Sequence, residues 1–400
     1  MMRIGDRFGP RVVRPAVVLG LFVALGGAPE ALHGQSLFNA AGLGTPLEPL
    51  DGRARALGSL GIGLPGGNFS PTDPGALGRL SVSTGVMVAQ PSWLDYEGSA
   101  GSGSVQGNRF PLLGVAYPIL SGMASIQIGS FLDQHYQIQR TGTSDFGGGS
   151  IATTDDFLQD GSVSSLNLGY ARMFGSRVSG GVVLGRYAGS AVRTLIRSYG
   201  DETTTDVDDY VERGEWSYTG HSISAGVAAD VLPGVWVAAS ALFPTALDAS
   251  PTEGTLGADR TFDLPRQYRL GASAVLGAGL LLTGSVQSMD WSSTADDLAE
   301  GDEALDSNGF GIGVEFSRAR LLGKDAPLRF GFRSTGLPFS FEDASGSERA
   351  FSGGFGLELS RSGDVVLASV DLAIERGQRS GAGLTERFWR ATISLLASGL

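Results

Sequence analysis

The connections between period-two segments constrain this chain more than any single motif. In 351–360, FSGGFGLELS, the residues Phe351, Phe355, Leu357 and Leu359 share one face, while Ser352, Gly354, Gly356 and Glu358 share the other. The segments 308–322 and 364–376 alternate in the same way, and one apolar face opposite a small or charged face is the mark of a strand. The pattern predicts strands near 79–90, 109–119, 123–139, 162–174, 177–197, 215–232, 235–244, 262–277, 280–291, 308–322, 326–341, 350–361, 364–376 and 386–397. Short turns at 120–122, 175–176, 233–234, 277–279, 323–326 and 362–363 interleave with long loops at 91–108, 140–161, 198–214, 245–261, 292–307, 342–349 and 377–385. A soluble sandwich has no reason to sort its loops by length. An antiparallel up-and-down barrel in a membrane does, with short turns on one side and long loops on the other. The expectation is an all-β transmembrane barrel of about 14 strands, both chain ends on the short-turn side. Closure pairs every strand edge without water.

Composition narrows the class. Only 18% of the residues are charged, and the net charge is −12, which argues against nucleic acid as a partner. The chain has no Cys and three His, which removes disulfide frameworks, thiolate chemistry and His-rich metal sites; no metal or other cofactor is expected. Residues 1–15 carry Arg3, Arg7, Arg11 and Arg14, and 16–28 are apolar, too short to span a bilayer but the right length for a signal-peptide core. The expected organisation is a signal peptide over 1–34, cleaved near Gly34, an N-terminal segment over 35–78, and the barrel over 79–400. Export without a spanning helix places the chain in a bacterial outer membrane, among lipid and lipopolysaccharide.

The long loops are acidic, with Asp155, Asp156 and Asp160 in one, Asp201, Glu202, Asp206, Asp208, Asp209 and Glu212 in a second, and Asp296, Asp297, Glu300, Asp302, Glu303 and Asp306 in a third. Solvation explains them better than a divalent cation, because their spacing does not fit a calcium loop. Trp93, Tyr96, Trp216, Tyr218, Trp236, Trp291, Phe339, Phe341, Phe388 and Trp389 lie near strand ends, as interfacial aromatic girdles do. If the apolar faces meet lipid, the opposite faces line the lumen. On the last five strands these offer Glu315, Arg329, Arg333, Glu358, Asp371, Glu375 and Arg390, either a charge ladder that keeps the lumen closed or a polar track for a solute headgroup. Gly and Pro within strands, such as Pro118 or Gly129, mark candidate bulges.

Residues 35–78 have no period and are rich in Gly, Pro and Leu, a composition better buried in a lumen than left in water. The stretch ALGSLGIGLPGGNFSPTDPGALGRL resembles the N-terminal hatch of the FadL-like outer-membrane long-chain fatty-acid transporters, whose Asn-Pro-Ala-x-Leu-like motif corresponds to Asp73, Pro74, Gly75, Ala76 and Leu77, with Asp for Asn and an offset Gly. Residues 262–293 resemble a hairpin of the same family through Leu264-Pro265, Gly271 and Trp291-Ser292. The resemblance implies a 14-stranded barrel plugged by the hatch, taking up hydrophobic small molecules from outside and releasing them sideways through a gap in the wall. A barrel partner in protein secretion or surface assembly, and a general diffusion porin, are the alternatives. An enzyme is not expected: His221 and Ser222, adjacent on a strand, point to opposite faces and cannot form a dyad.

Overall fold

The computed structural model describes residues 36–399 other than 68, 99–100, 146–149, 201–207, 278, 300, 322–323, 342–344, 364 and 382. The expected signal peptide and cleavage position, with Asp201, Glu202, Asp206 and Glu300, lie outside the described residues. Fourteen antiparallel strands form the wall: β1 Thr84–Gly98, β2 Gly101–Ile119, β3 Gly122–Asp133, β4 Ser150–Phe174, β5 Val178–Tyr199, β6 Tyr210–Leu232, β7 Val235–Pro244, β8 Gln267–Leu276, β9 Leu280–Met289, β10 Ser307–Phe316, β11 Leu328–Leu337, β12 Gly346–Ser362, β13 Val365–Gly381 and β14 Leu384–Ser398. Each pairs with its neighbour, and β14 returns to β1 with Thr84 opposite Ser398 and Glu97 opposite Thr385, so the sheet closes. Closure excludes a two-layer sandwich and puts both ends of the barrel chain on the short-turn side.

The wall is inverted relative to a soluble protein. Leu113, Val115 and Tyr117 on β2, Ile126 and Ile128 on β3, Leu166 and Leu168 on β4, Leu184 on β5 and Ile312 on β10 are all 43–64% exposed on the outer face. Ser125, Gln127, Ser165, Asn167, Ser285 and Gln287, at the alternate positions, are buried. Water does not tolerate so continuous an apolar surface. Hydrocarbon does, and the wall is that of a membrane-spanning barrel.

Strand existence follows the sequence pattern closely, whereas strand ends do not. The expected loop 91–108 is mostly strand, since β1 runs to Gly98 and β2 starts at Gly101. Most of 140–161 is strand too, because β4 starts at Ser150 and the segment Tyr136–Asp145 pairs with it beyond β3. The outward positions of β4 change from Leu166 and Leu168 to Ser162 and Asp160, so the pairing continues past the bilayer without an apolar face to announce it. With β5 and β6, these extensions build a sheet that stands clear of the membrane on the outer side. The expected aromatic girdle also divides: Trp93 and Trp389 face outward, whereas Trp291, Phe339, Tyr218 and Phe388 are buried inside. Pro118 pairs in regular register with Met123; register shifts fall instead opposite Ala89, at Phe131, two residues beyond Gly129, at Val231 and around Leu359.

Residues 36–83 thread the lumen. Two short helices, α1 Gly52–Ala56 and α2 Pro74–Leu77, are capped by Asp51, which accepts from Ala54 N at 2.7 Å, and by Asp73, which accepts from Ala76 N at 3.1 Å. Between them the backbone lies flat on the inner wall. A Cβ at Gly311 would sit 1.9 Å from Gly58 O, and one at Gly331 2.2 Å from Leu57 C. These wall glycines are required by close approach of a second backbone.

Candidate functional site: lumen, mouth and wall gap

Inward-facing charges on β10–β14 form two ion-pair clusters, one around Glu315 and one around Glu348 and Glu375. Arg329 donates to Glu315 at 2.8 Å and also binds Asp371. Arg333 donates to Glu375 at 2.9 Å and pairs with Glu348, which Arg379 also holds; Arg379 lies 3.6 Å from Glu386. Arg390 bridges Glu375 at 3.5 Å and Glu348 at 3.8 Å. The lumen segment plugs into both clusters. Arg53 reaches Glu315 at 3.2 Å, Arg55 approaches Glu375 at 4.0 Å, and Ser36 donates to Glu386 at 2.8 Å. Buried pairs of this kind tie elements together geometrically more than they stabilise relative to apolar packing, but removing one partner strands a charge.

Six of the seven charges anticipated from the sequence therefore fall in these two clusters. The seventh, Glu358, lies beside the periplasmic turn, where it pairs with Arg361 at the surface. Glu348 and Arg379 lie outside the expected strands 350–361 and 364–376, whereas Glu386 opens the expected strand 386–397 and shares the inward parity of Arg390, the signal that could have found it. Arg53 and Arg55 were missed because a short helix inside a plug carries no period. The hatch motif is fully buried. Asp73 also accepts from Gly63 N at 3.1 Å, and a Cβ at Gly75 would sit 2.7 Å from Ala228 N, which accounts for the offset glycine. Burial pushes the Asp73 carboxyl up to about 6 despite these hydrogen bonds. Burial likewise raises Asp51, helped by nearby Asp371.

Above these ion pairs the mouth is closed by a dry apolar cluster. It joins Ala41 and Leu43 of the lumen segment to Phe131, Tyr187, Leu247, Phe262, Met289, Trp291 and Phe339 from the wall and loops. Phe131 stacks on Tyr187 at 4.3 Å, and Trp291 meets Phe339 edge-on at 5.0 Å. Two cavities of about 70 Å³ each flank the turn 46–48 beneath this cluster. One is lined by Arg55, Arg109, Arg333, Arg379 and Arg390 with Glu48 and Glu348. Four buried donors around it, Arg55 Nε, Arg109 Nε, Arg390 Nε and Trp291 Nε1, have no hydrogen-bond partner among the described residues. Such donors are costly unless something polar enters.

The wall itself is interrupted between β2 and β3, two strands on from β14. β2 and β3 pair from Ile119↔Gly122 to Leu112↔Gly129 and then part. Two local causes are legible. Pro111 comes next on β2 and has no N–H to donate, and the bulge at Phe131 turns that ring into the mouth cluster. The freed edge of β3 is taken by the lumen segment, with Thr45–Pro46 pairing with Asp133 and Leu132 and Leu47 N donating to Phe131 O at 2.8 Å. Arg109 on β2 crosses the gap to Asp133. His135 is half-buried, its Nδ1 2.6 Å from Asp133 and its Nε2 2.9 Å from Asp160. Outside this point a cleft of about 250 Å³ opens between Val105 on one edge and Tyr136 and Gln137 on the other, floored by Ser36 and Leu37.

No family model matches the chain, and no curated protein does. Solved structures do. A FadL homologue from Pseudomonas aeruginosa aligns with a TM-score of 0.61 at 11% identity, covering 89% of this chain and all of its own. The toluene transporter TodX of Pseudomonas putida gives 0.54 at 12% identity, over 89% of this chain and 99% of its own. The monoaromatic hydrocarbon channel CymD gives 0.53 at 14%, over 89% and 98%. At this identity the likeness establishes the architecture: the chain has the fold of the FadL-like outer-membrane channels. The proteins that share it are named as channels and transporters, not enzymes.

Proposed function

We propose that this barrel takes up hydrophobic small molecules from outside the cell, passes them through the mouth cluster into the lumen and discharges them sideways between β2 and β3. The interruption of the wall at Leu112↔Gly129, with the hatch strand Thr45–Pro46 seated on the freed edge, carries this reading. An apolar solute loses nothing by moving from a dry aromatic core into hydrocarbon, whereas an aqueous pore would force it through water. The arginine-lined cavity beside the mouth suits a solute with an apolar body and an anionic head. The lumen cavities are far below the roughly 300–1,000 Å³ of ordinary small-molecule sites, so passage requires the hatch to leave the β3 edge. Residues 35–78 act as the hatch and 79–400 as the barrel in this scheme.

The chain lacks cysteine, so a disulfide between Pro46→Cys and Leu132→Cys, which are direct cross-strand partners, can bolt the hatch to the wall. Uptake of radiolabelled fatty acid or toluene by cells carrying the oxidised variant should fall to background and return on reduction. Unchanged uptake in the oxidised form would remove the proposed exit. A general porin would instead show steady ion conductance in planar bilayers with the hatch bolted. The role of a partner in protein assembly has one observation in its favour: the outer edge of Tyr136–Asp145 has no strand partner among the described residues and is exposed, and such edges accept strands. Stoichiometric co-purification of a second protein, lost on substituting Ile138→Pro, is its test.

A further inference from the structure

The outer wall carries a trough whose shape follows from register. Two successive rows of outward-facing residues cross five strands, Tyr170–Val182–Ala225–Ala241–Tyr268 and Arg172–Gly180–Val227–Ala239–Leu270. Each row ends in a large side chain on β4 and on β8, with small ones or valines between. Four inter-strand steps make the trough roughly 19 Å wide. Its volume is about 920 Å³, bounded by Tyr170 and Phe174 on one bank and Tyr268 and Leu270 on the other. The floor cannot be filled from inside, because the hatch occupies that side: Pro74 lies against Gly181 and Gly226 on the inner face.

One charge stands in this apolar trough. Arg172 is exposed, two residues before β4 ends at the short turn, and therefore sits at the periplasmic boundary of the membrane. Its guanidinium rests over the Phe174 ring at 4.5 Å and has no ion pair among the described residues. Asp230, toward the same end of β6, is held by Arg79 at 2.7 Å instead. An unpaired guanidinium at the headgroup level above an apolar concavity matches a molecule with a phosphate at one end and a hydrocarbon chain at the other.

The geometry points to a specific phospholipid site: one lipid of the periplasmic leaflet lies with an acyl chain in the Ala225–Val227–Ala239–Ala241 trough and its phosphate on Arg172. This goes beyond the proposed transport and does not depend on what the lumen carries. A conventional annular lipid slides over a convex wall, whereas this one is held at both ends.

Native mass spectrometry of the full-length barrel in detergent, titrated with phosphatidylglycerol, tests it. The wild type should hold one lipid more tightly than the rest. Arg172→Gln should weaken that adduct about fivefold, the worth of one basic residue at a membrane surface. Ala239→Phe, which fills the trough, should abolish it. Ile374→Phe, outward-facing on β13, should change nothing. Unboiled-gel migration verifies that each variant is folded. Equal lipid retention in all four proteins overturns the site. A dimer in the wild type that Ala239→Phe dissociates also overturns it, in favour of a second copy of this chain in the trough.

Discussion

Two nearby stretches of the barrel wall solve the same problem differently. Around β10–β14 the wall strands pair directly with one another, with eight residue pairs between β10 and β11 and fourteen between β13 and β14, and buried arginines and glutamates stitch the inner faces to the hatch. Between β2 and β3 there are eight pairs, after which the hatch itself takes the place of wall strand, and one ion pair, Arg109–Asp133, spans the opening. A closed sheet need not be uniform: one flank can act as an anchor, with the plug's arginines locked into it, while the other stays marginal enough to open. The contrast is enforced by residue type. Ladders of Arg with Glu cannot part without stranding charge in a dry lumen, whereas a proline and a bulge forfeit backbone bonds in advance.

The largest effect is expected on the anchored flank. Glu375→Ala leaves Arg333, Arg390 and Arg55 facing one another without their shared carboxylate, and should cost about 3–5 kcal/mol, read as the urea midpoint of the unboiled-gel mobility shift in detergent. If the loss is under 1 kcal/mol, the flank is not an anchor.

Asp73 measures how firmly the hatch is seated. Its folded-state value of about 6 exceeds the ordinary 3.8, so the folded state binds protons more readily. Hatch docking should therefore strengthen as pH falls through 6 and level off below 3.8, by at most about 3 kcal/mol. Asp73→Asn should reproduce the low-pH behaviour at pH 8 and flatten the profile. Protection of the hatch from protease across pH gives the readout, and a profile that weakens on acidification would reverse the assignment.

The marginal flank should respond more in function than in stability. Pro111→Val restores one donor where the ladder stops. It should stabilise by about 1 kcal/mol and slow uptake of a hydrophobic solute. Faster uptake would contradict the gap as an exit. The smallest effect belongs to Glu358→Gln, whose partner Arg361 is half-exposed beside the turn; an exposed pair of this kind is worth within about 0.5 kcal/mol, and its unfolding midpoint should match the wild type.

Alternation of apolar and small residues, sorted by connection length, was enough to predict the closed fourteen-stranded barrel, because lipid imposes on every strand the same face-by-face choice. It also placed Glu315, Arg329, Arg333, Asp371, Glu375 and Arg390 on the inner face, since parity alone decides sidedness. Where the membrane ends, that pressure ends, and the outer extensions of β4 and β6 read as loops although they pair residue for residue with β5. Arg53, Arg55, Glu348 and Arg379 entered the site only through tertiary contact, the first two on a plug without a period. Trp291 and Phe388 were drawn inward from where a girdle was expected because the lumen has to be filled. The gap was written in Pro111, but one proline among many names no site. It became one when folding brought Thr45 and Pro46 onto the edge that β2 had left, since backbone groups without water must find partners wherever the chain places them.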